Sequence, residues 1–313
     1  MSTRRPDLHP EVEAMLATLE AGFPDVTAFP AAEVRGMIDA RRAPLGDEPA
    51  MRAVVDVTID GPDGNALPLR IYTPHAAADR ALPTIVFAHG GGFVFCGIDS
   101  HDEFARSLAE NTASVVVSVE YRLAPEHPAP AALEDMYAAV GWTAQHIGGY
   151  GGDPTRLAVA GDSAGGLLSA AVCLAVRDRG GPEIAAQILL YPMIDDDVDT
   201  ESYRRYGEGY YNSAAAMAWY WDQYAPGERD DPLVMPSKAA SLAGLPPAVV
   251  VSAELDPPCD SAERYADRLR ADGVEVHGHR LDGLFHGVLT FAKFPLTPSA
   301  RATVWELIGR VLG

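Results

Sequence analysis

Short apolar runs alternate with segments of helical periodicity along most of the chain. Residues 54–60 and 67–73 alternate apolar and polar side chains around a glycine-rich turn, which predicts a strand, a turn and a strand. Later apolar runs suit strands buried on both faces, and they cover residues 84–88, 114–119, 156–160, 185–191 and 248–253, with an alternating strand at 275–281. Helical patterns lie between them, at residues 102–110, 131–146, 164–177 and 260–271. This order predicts an α/β fold with a mostly parallel sheet.

Two segments depart from the alternation and are predicted to lie outside the sheet. The first 45 residues carry two short helical patterns, one beginning at Pro10 and one at residues 31–42. Residues 195–237 begin with a run of aspartates and continue with eight Tyr or Trp side chains. This stretch is too long for a strand-to-helix loop, so we predict a lid at the carboxyl ends of the strands. A helical decoration packed by its own aromatic rings is the alternative interpretation.

The composition excludes some classes of binding partner and indicates the cellular compartment of the protein. The chain has 313 residues, is 48% hydrophobic and has a formal net charge of −20. Such an excess of negative charge repels nucleic acids and anionic membrane surfaces. The three cysteines give neither a disulfide framework nor metal-ligand spacing. No secretion signal and no apolar run of ~18 residues is visible, so we expect a cytoplasmic protein with no membrane span and no nucleic-acid partner.

A serine motif carries the clearest chemical signal. Gly161-Asp162-Ser163-Ala164-Gly165 follows a predicted strand and opens a predicted helix. A serine on so sharp a turn presents its hydroxyl above the sheet, and the helix N-terminus favours negative charge that develops beside it. We therefore predict Ser163 as a nucleophile. A purely structural turn is the alternative.

A glycine cluster follows an earlier strand, with the sequence His89-Gly90-Gly91-Gly92-Phe93. Consecutive glycines let the backbone approach a substrate oxygen and direct N–H groups at it. Loops of this kind form the oxyanion hole of lipases and esterases. A phosphate-binding loop is disfavoured because no Lys-Ser/Thr pair follows. A flexible turn is the other alternative.

A serine nucleophile of this kind requires an acid and then a histidine later in the chain. Asp256 follows the strand at residues 248–253, and His286 follows the strand at residues 275–281. Both lie on loops beyond strand ends, where the sheet gathers reactive groups. Other candidates remain for the acid and the base: Glu254, Asp260 and Asp282 for the acid, His277 and His279 for the base.

Together these motifs resemble a known family. The hormone-sensitive-lipase-like esterases, which are the bacterial family IV carboxylesterases, share the glycine cluster, the serine motif, and the Asp-Pro and His-Gly pairs. They also share a further run, here Tyr121-Arg122-Leu123-Ala124-Pro125-Glu126 with Pro128, Pro130 and residues 131–135. The resemblance implies an α/β-hydrolase fold with a mostly parallel eight-stranded sheet, flanking helices and a helical cap. It places the cap at residues 1–45 and 195–238, and the catalytic core at 46–194 and 239–313.

The resemblance also assigns roles to single residues. Ser163 matches the nucleophile, Asp256 the acid and His286 the base, while the oxyanion donors correspond to Gly91, Gly92 and Ala164. Aromatic side chains are expected to line an apolar acyl pocket under the cap, chiefly Phe93, Tyr191, Tyr211 and Trp219, with Phe95 and Tyr210 as further candidates. We expect neither a cofactor nor a metal ion.

The resulting prediction is a serine carboxylesterase for small acyl esters of short to medium chain length, acting through an acyl-enzyme. An amidase or arylformamidase on the same triad is an alternative, and so is a non-catalytic small-molecule receptor of the same fold. Members of the family often dimerise through the last strand of the sheet, so a homodimer is a further expectation.

Overall fold

A computed structural model of the chain describes residues 8–40, 46, 48–78, 80–227 and 229–313. Its strands are β1 Ala53–Asp60, β2 Ala66–Thr73, β3 Leu82–Ala88, β4 Val115–Val119, β5 Gly152–Asp162, β6 Ala186–Leu190, β7 Ala248–Leu255 and β8 Val276–Phe285. They form one sheet in the order β1-β2-β4-β3-β5-β6-β7-β8. The first two strands pair antiparallel, as do β2 and β4, and the remaining pairs are parallel. The predicted eight-stranded, mostly parallel sheet is confirmed.

Helices cover both faces of this sheet. In the described part of the chain they are α1 Pro10–Gly22, α2 Ala31–Asp39, α3 Asp102–Thr112, α4 Ala131–His146, α5 Ala164–Arg179, α6 Glu201–Tyr206, α7 Ala214–Tyr224, α8 Cys259–Ala271 and α9 Thr297–Leu312. Successive side chains of a strand point to opposite faces. In β3, Ile85 and Phe87 therefore join one core cluster with residues of α3 and α9, while Val86 and Ala88 join the other with residues of α4 and α5.

The C-terminal helix α9 is an element that the apolar pattern left unpredicted. Its buried residues Val304, Ile308 and Leu312 recur at a spacing of four, which is the helical signal. Arg301 of this helix pairs with Glu103 of α3 through two contacts of 2.7 and 2.6 Å, and its Nε–H donates to the carbonyl of Leu289 over 2.7 Å. The helix therefore anchors the loop that follows β8.

The two predicted cap segments contain α1, α2, α6 and α7. Residues 1–7, 41–45 and 228 of these segments lie outside the described residues. Arg35 of α2 donates to the carbonyls of Val94 and Ala124 and pairs with Glu126, which ties the N-terminal segment to the loops beyond β3 and β4. The aspartate run at residues 195–199 is held by arginines, including Arg264 of α8. The division into cap and core remains a prediction.

Among the described residues, none of the helices is both long and apolar enough to cross a bilayer. Two of the three cysteines, Cys173 and Cys259, are buried in the core. Burial raises the pKa of the Cys259 thiol to about 12 and raises the pKa of Cys173 as well. Both behave as small apolar residues rather than as reactive thiols.

Candidate active site

Ser163 occupies the turn between β5 and α5. Its backbone adopts φ 56° and ψ −116°, a conformation that non-glycine residues rarely take. The turn is so tight that a Cβ on Gly165 would lie 2.0 Å from the carbonyl oxygen of Ala88. The Ser163 N–H donates to the carbonyl of Leu190 over 2.8 Å. The neighbouring strands thus hold the serine in its strained conformation.

The structure brings Ser163 together with His286 and Asp256. The serine hydroxyl lies 2.7 Å from His286 Nε2, and His286 Nδ1 lies 2.6 Å from Asp256 Oδ2. An ionised carboxylate only accepts hydrogen bonds, so Nδ1–H donates to Asp256 and Nε2 is free to accept from the serine. Burial raises the pKa of the Asp256 carboxyl, and the contact with His286 works in the opposite direction. The acid is fully buried, which strengthens its interaction with an imidazolium.

Other candidates for the acid and base lie elsewhere. His277 and His279 belong to β8, where they pair in register with β7. His277 Nε2 lies 2.9 Å from a carboxylate oxygen of Glu275, an exposed residue directly before the strand. Glu254 accepts from the Gly283 N–H, and Asp282 pairs with Arg280 on an exposed face. None of these groups contacts Ser163.

The glycine cluster lies against the serine turn. The Gly90 N–H donates to Asp162 Oδ1 over 2.8 Å, which joins the cluster directly to the residue before the serine. The ring of His89 stacks on Tyr121 at 4.2 Å, and the Tyr121 hydroxyl donates to the carbonyl of His89. These contacts position the three glycines, and both Gly91 and Gly92 line the same cavity as Ser163.

Two backbone N–H groups of the glycine cluster lie at this cavity without a protein acceptor, and a third belongs to the residue directly after Ser163. No hydrogen bond among the described residues uses the N–H of Gly91 or of Gly92. Ala164 is the first residue of α5, so its N–H has no acceptor within the helix. Donors in this state can bind an oxyanion that forms beside Ser163.

The cavity has a volume of about 560 Å³ and contains Ser163 and His286 in its wall. Five aromatic rings also line it: Phe23, Phe95, Tyr211, Tyr220 and Phe291. The wall combines parts of both predicted cap segments with the loops beyond β3, β5 and β8. Its size suits a small organic molecule.

Sequence comparison decides the family. A profile of the alpha/beta hydrolase fold matches residues 85–290, which include the glycine cluster, the serine, the acid and the histidine. The chain belongs to the α/β-hydrolase family. The likeness to hormone-sensitive-lipase-like esterases, recognised from the sequence motifs, is confirmed.

Individual α/β-hydrolases support the same assignment over almost the whole chain. The carboxylesterase NlhH of Mycobacterium tuberculosis is 37% identical over 295 residues, covering 92% of this chain and 91% of its own. The ethyl acetate hydrolase of Pseudomonas putida is 34% identical, covering 89% and 91%. The structure of an ester hydrolase from the Lake Arreo metagenome, complexed with a bipyridine phosphonate derivative, superposes with a TM-score of 0.90 at 36% identity, covering 97% and 98%. This α/β-hydrolase is therefore an ester-hydrolysing enzyme.

Of the four aromatic residues chiefly predicted to line the pocket of the hydrolase, only Tyr211 does so, and of the two further candidates Phe95 does. Phe93 is buried and stacks on Tyr224 with ring centroids 3.8 Å apart. Tyr191 is buried beside the imidazole of His286 at 5.1 Å, outside the cavity lining. Trp219 packs edge-on against Tyr220. Consecutive helical residues point about 100° apart, so Tyr220 faces the cavity and Trp219 does not.

The sequence interpretation missed Phe23, Tyr220 and Phe291 as lining residues. For Tyr220 a signal exists, since Ser213, which caps α7, lines the cavity together with Ala216 and Tyr220 of that helix, and the three recur at helical spacing. Nothing local marks the other two rings, which reach the site from the N-terminal segment and from the loop after β8. Cys96 is half-buried and also lines the cavity.

Negative charge predominates in the lining of the cavity. Its acidic members are Glu20, Asp25, Asp162 and Glu208, and no lysine or arginine is found among the described lining residues. His101 also lines it, with Nε2 3.3 Å from Asp162 Oδ1. Within the described ranges, no group of three or more His, Cys, Asp or Glu side chains could hold a metal ion.

Gly91→Ala tests the oxyanion role predicted for Gly91, and we expect it to lower kcat for a short acyl ester by about a hundredfold or more, the effect of losing one oxyanion donor. An added Cβ would lie 2.2 Å from the carbonyl oxygen of Phe95, and Gly91 has a φ of +114°. Because the obstacle is backbone, the loop must move. Gly64→Ala is the matched control, since Gly64 has a φ of +74° with nothing within 4 Å. Initial rates and thermal melts of both variants test this prediction, which fails if both retain wild-type kcat.

Proposed function

We propose that this enzyme is a serine carboxylesterase that hydrolyses neutral esters of short to medium acyl chain length. The observation that carries the proposal is the hydrogen-bonded series from Ser163 through His286 to Asp256, with separations of 2.7 and 2.6 Å. It lies beside the unengaged N–H groups of Gly91 and Gly92. This arrangement provides a nucleophile, a base and an oxyanion site within one cavity.

In the acylation step, Ser163 Oγ attacks the ester carbonyl carbon while His286 Nε2 takes the hydroxyl proton. The carbonyl oxygen becomes an oxyanion. The N–H groups of Gly91, Gly92 and Ala164 stabilise that charge. His286 then gives its proton to the alkoxy oxygen, the C–O bond breaks, and the alcohol leaves an acyl group on Ser163.

In the deacylation step, water takes the place of the alcohol. His286 removes a proton from the water as its oxygen attacks the acyl carbon, and the same N–H groups hold the second oxyanion. Return of the proton to Ser163 Oγ releases the carboxylic acid. Throughout, the carboxylate of Asp256 keeps the imidazole oriented and stabilises its protonated form.

The lining of the cavity supports a preference for small, neutral acyl groups. Its aromatic rings offer an apolar surface, while its charged members are acidic and disfavour an anionic substrate. A volume of about 560 Å³ holds an ester of limited length. The Pseudomonas putida relative, which is named for hydrolysis of ethyl acetate, fits the same range. We propose that the two cap segments set this limit because both contribute to the wall.

A series of ethyl esters from acetate to palmitate tests the preference. We expect kcat/KM to peak at acyl chains of about two to eight carbons and to fall by about tenfold or more at palmitate, because the extra methylenes exceed the cavity. Purified Ser163→Ala protein serves as the blank. Equal kcat/KM values for acetate and emulsified palmitate would show that the cap sets no such limit.

The same preparation separates ester from amide hydrolysis. Ethyl butyrate and N-ethylbutyramide differ in the leaving atom but place the same acyl group in the cavity. We expect turnover of the ester to exceed that of the amide by at least about a hundredfold, because the poorer leaving group adds more than ~3 kcal/mol to the barrier. A faster amide reaction would favour the amidase alternative.

A further inference from the structure

An apolar groove of about 430 Å³ lies between helix α1 and the segment at residues 290–295. On the helix it is lined by Ala14, Met15 and Thr18, and on the opposite side by residues that include Phe291 and Phe294. Its only charged lining residues in the described part of the chain are Glu11 and Lys293. The groove therefore presents a mainly hydrocarbon surface, and its α1 side is open to solvent at Ala14 and Thr18.

This groove adjoins the catalytic cavity. Thr290 and Phe291 line both spaces, so they form the boundary between them. Helix α1 is a second shared wall, because Met15 and Thr18 line the groove while Leu19, the next residue along, lines the cavity. The Phe291 ring packs edge-on against Tyr211 of the cavity at 6.0 Å. Phe291 is therefore the residue that an extended chain bound at Ser163 would pass to reach the groove.

The position of the groove relative to His286 identifies the part of the substrate that enters it. In the proposed mechanism His286 gives its proton to the alkoxy oxygen, so the alcohol half of the ester lies on the histidine side of the cavity. From His286 the chain runs through Gly287, which also lines the cavity, directly to Thr290 and Phe291. The oxyanion donors Gly91 and Gly92 lie on the loop after β3.

We propose that this groove is the binding site for the alkyl tail of the alcohol half of the ester, with Phe291 at its entrance. The inference rests on the proposed function, because the direction of proton transfer sets the side on which the alcohol lies. The enzyme then limits the acyl half by the cavity wall but accepts a longer alcohol half. Esters of short acids with apolar alcohols are the class of substrate that this shape fits.

Two isomeric esters distinguish binding of the alcohol half of the substrate from binding of the acyl half. Octyl acetate carries its long chain on the alcohol, and ethyl octanoate carries it on the acid. The probe variant is Ala14→Trp, in which the indole fills the groove from an exposed helical position. Thr18→Trp fills the same groove from a second exposed position. Ala17→Trp, on an exposed part of the same helix outside the groove lining, is the matched control.

We expect Ala14→Trp and Thr18→Trp to lower the ratio of kcat/KM for octyl acetate to that for ethyl octanoate by about tenfold, since each methylene returned to water costs about fourfold. Ala17→Trp should leave the ratio within about twofold of wild type, as a surface change away from the site does. An unchanged ratio in both groove variants, or an equal loss on both esters, overturns the proposal.

Two further measurements distinguish failure of the groove proposal from failure of the proposed function. Hydrolysis of ethyl acetate by the wild type, with Ser163→Ala as the blank, tests the proposed function independently of the groove. Sedimentation of wild type and Ala14→Trp reports the oligomeric state. If the variant dissociates a dimer and the ester ratio does not move, the groove is covered by a second copy of the chain and the proposal is wrong.

Discussion

Ser163→Ala is expected to lower kcat for ethyl acetate by about a million-fold, comparable with the loss of a nucleophile or base in other serine hydrolases. The reason is geometric: no other hydroxyl among the described residues lies within hydrogen-bond distance of His286. In the proposed mechanism no acyl-enzyme forms without this Oγ, and only substrate binding and the proposed oxyanion donors remain. Alkali uptake at constant pH measures the rate directly.

The control for this variant is Ser169→Ala on helix α5, which begins directly after Ser163. Ser169 is also buried, and its hydroxyl donates to the carbonyl of Gly165 over 2.9 Å without touching His286. Its loss should cost about 1 kcal/mol of unfolding free energy and leave kcat largely unchanged. If Ser163→Ala kept near-wild-type activity while folded, the serine would not be the nucleophile, and the proposed mechanism would be wrong.

The sheet could be predicted from the sequence because its strands are buried on both faces. A strand such as β4 then consists almost entirely of apolar, β-branched residues, which is a local and unambiguous pattern. The serine turn was predictable for a similar reason. Its glycines are required by backbone contacts, as the position of Gly165 against the carbonyl of Ala88 shows. Because only glycine fits at such positions, the turn can be recognised from the glycines in the sequence.

The lining of the cavity could not be predicted in the same way, because it depends on contacts between distant segments. Phe93 and Phe95 lie two residues apart, yet only Phe95 lines the cavity. Phe93 adopts a φ of +65° and turns onto Tyr224 of α7. Phe23 and Phe291 meet at one cavity although they are far apart in the chain. Hydrophobicity identifies such rings as buried but not the surface on which each is buried.

The choice of His286 over the two earlier histidines depends on where β8 ends. The strand continues to Phe285, four residues beyond the predicted end at residue 281. This extension places His286 immediately after the strand and beside Ser163. His277 and His279 lie within the paired part of the strand, so their side chains remain at its surface. The rule that reactive groups follow strand ends singled out the histidine that lies beside Ser163, although the predicted strand ended four residues too early.

Asp256→Asn is expected to lower kcat for ethyl acetate by about ten-thousandfold, the effect of the equivalent change in another serine hydrolase. The amide has the shape of the carboxyl but no charge. It cannot stabilise the imidazolium that the proposed mechanism forms when His286 takes the serine proton, and it permits the tautomer in which Nε2 carries the proton. Alkali uptake again measures kcat, and a thermal melt of each protein measures stability.

Asp256→Asn should not lower the stability of the protein, although it lowers the activity. Because burial raises the pKa of the Asp256 carboxyl, ionisation above that pKa disfavours the folded state, and removing the charge removes this penalty. At neutral pH we therefore expect Asp256→Asn to melt at the wild-type temperature or above it. Asp282→Asn, at an exposed position that pairs with Arg280, is the control and should change neither kcat nor melting temperature. A parallel loss of activity and stability in Asp256→Asn would mean that the aspartate supports the fold rather than the imidazolium.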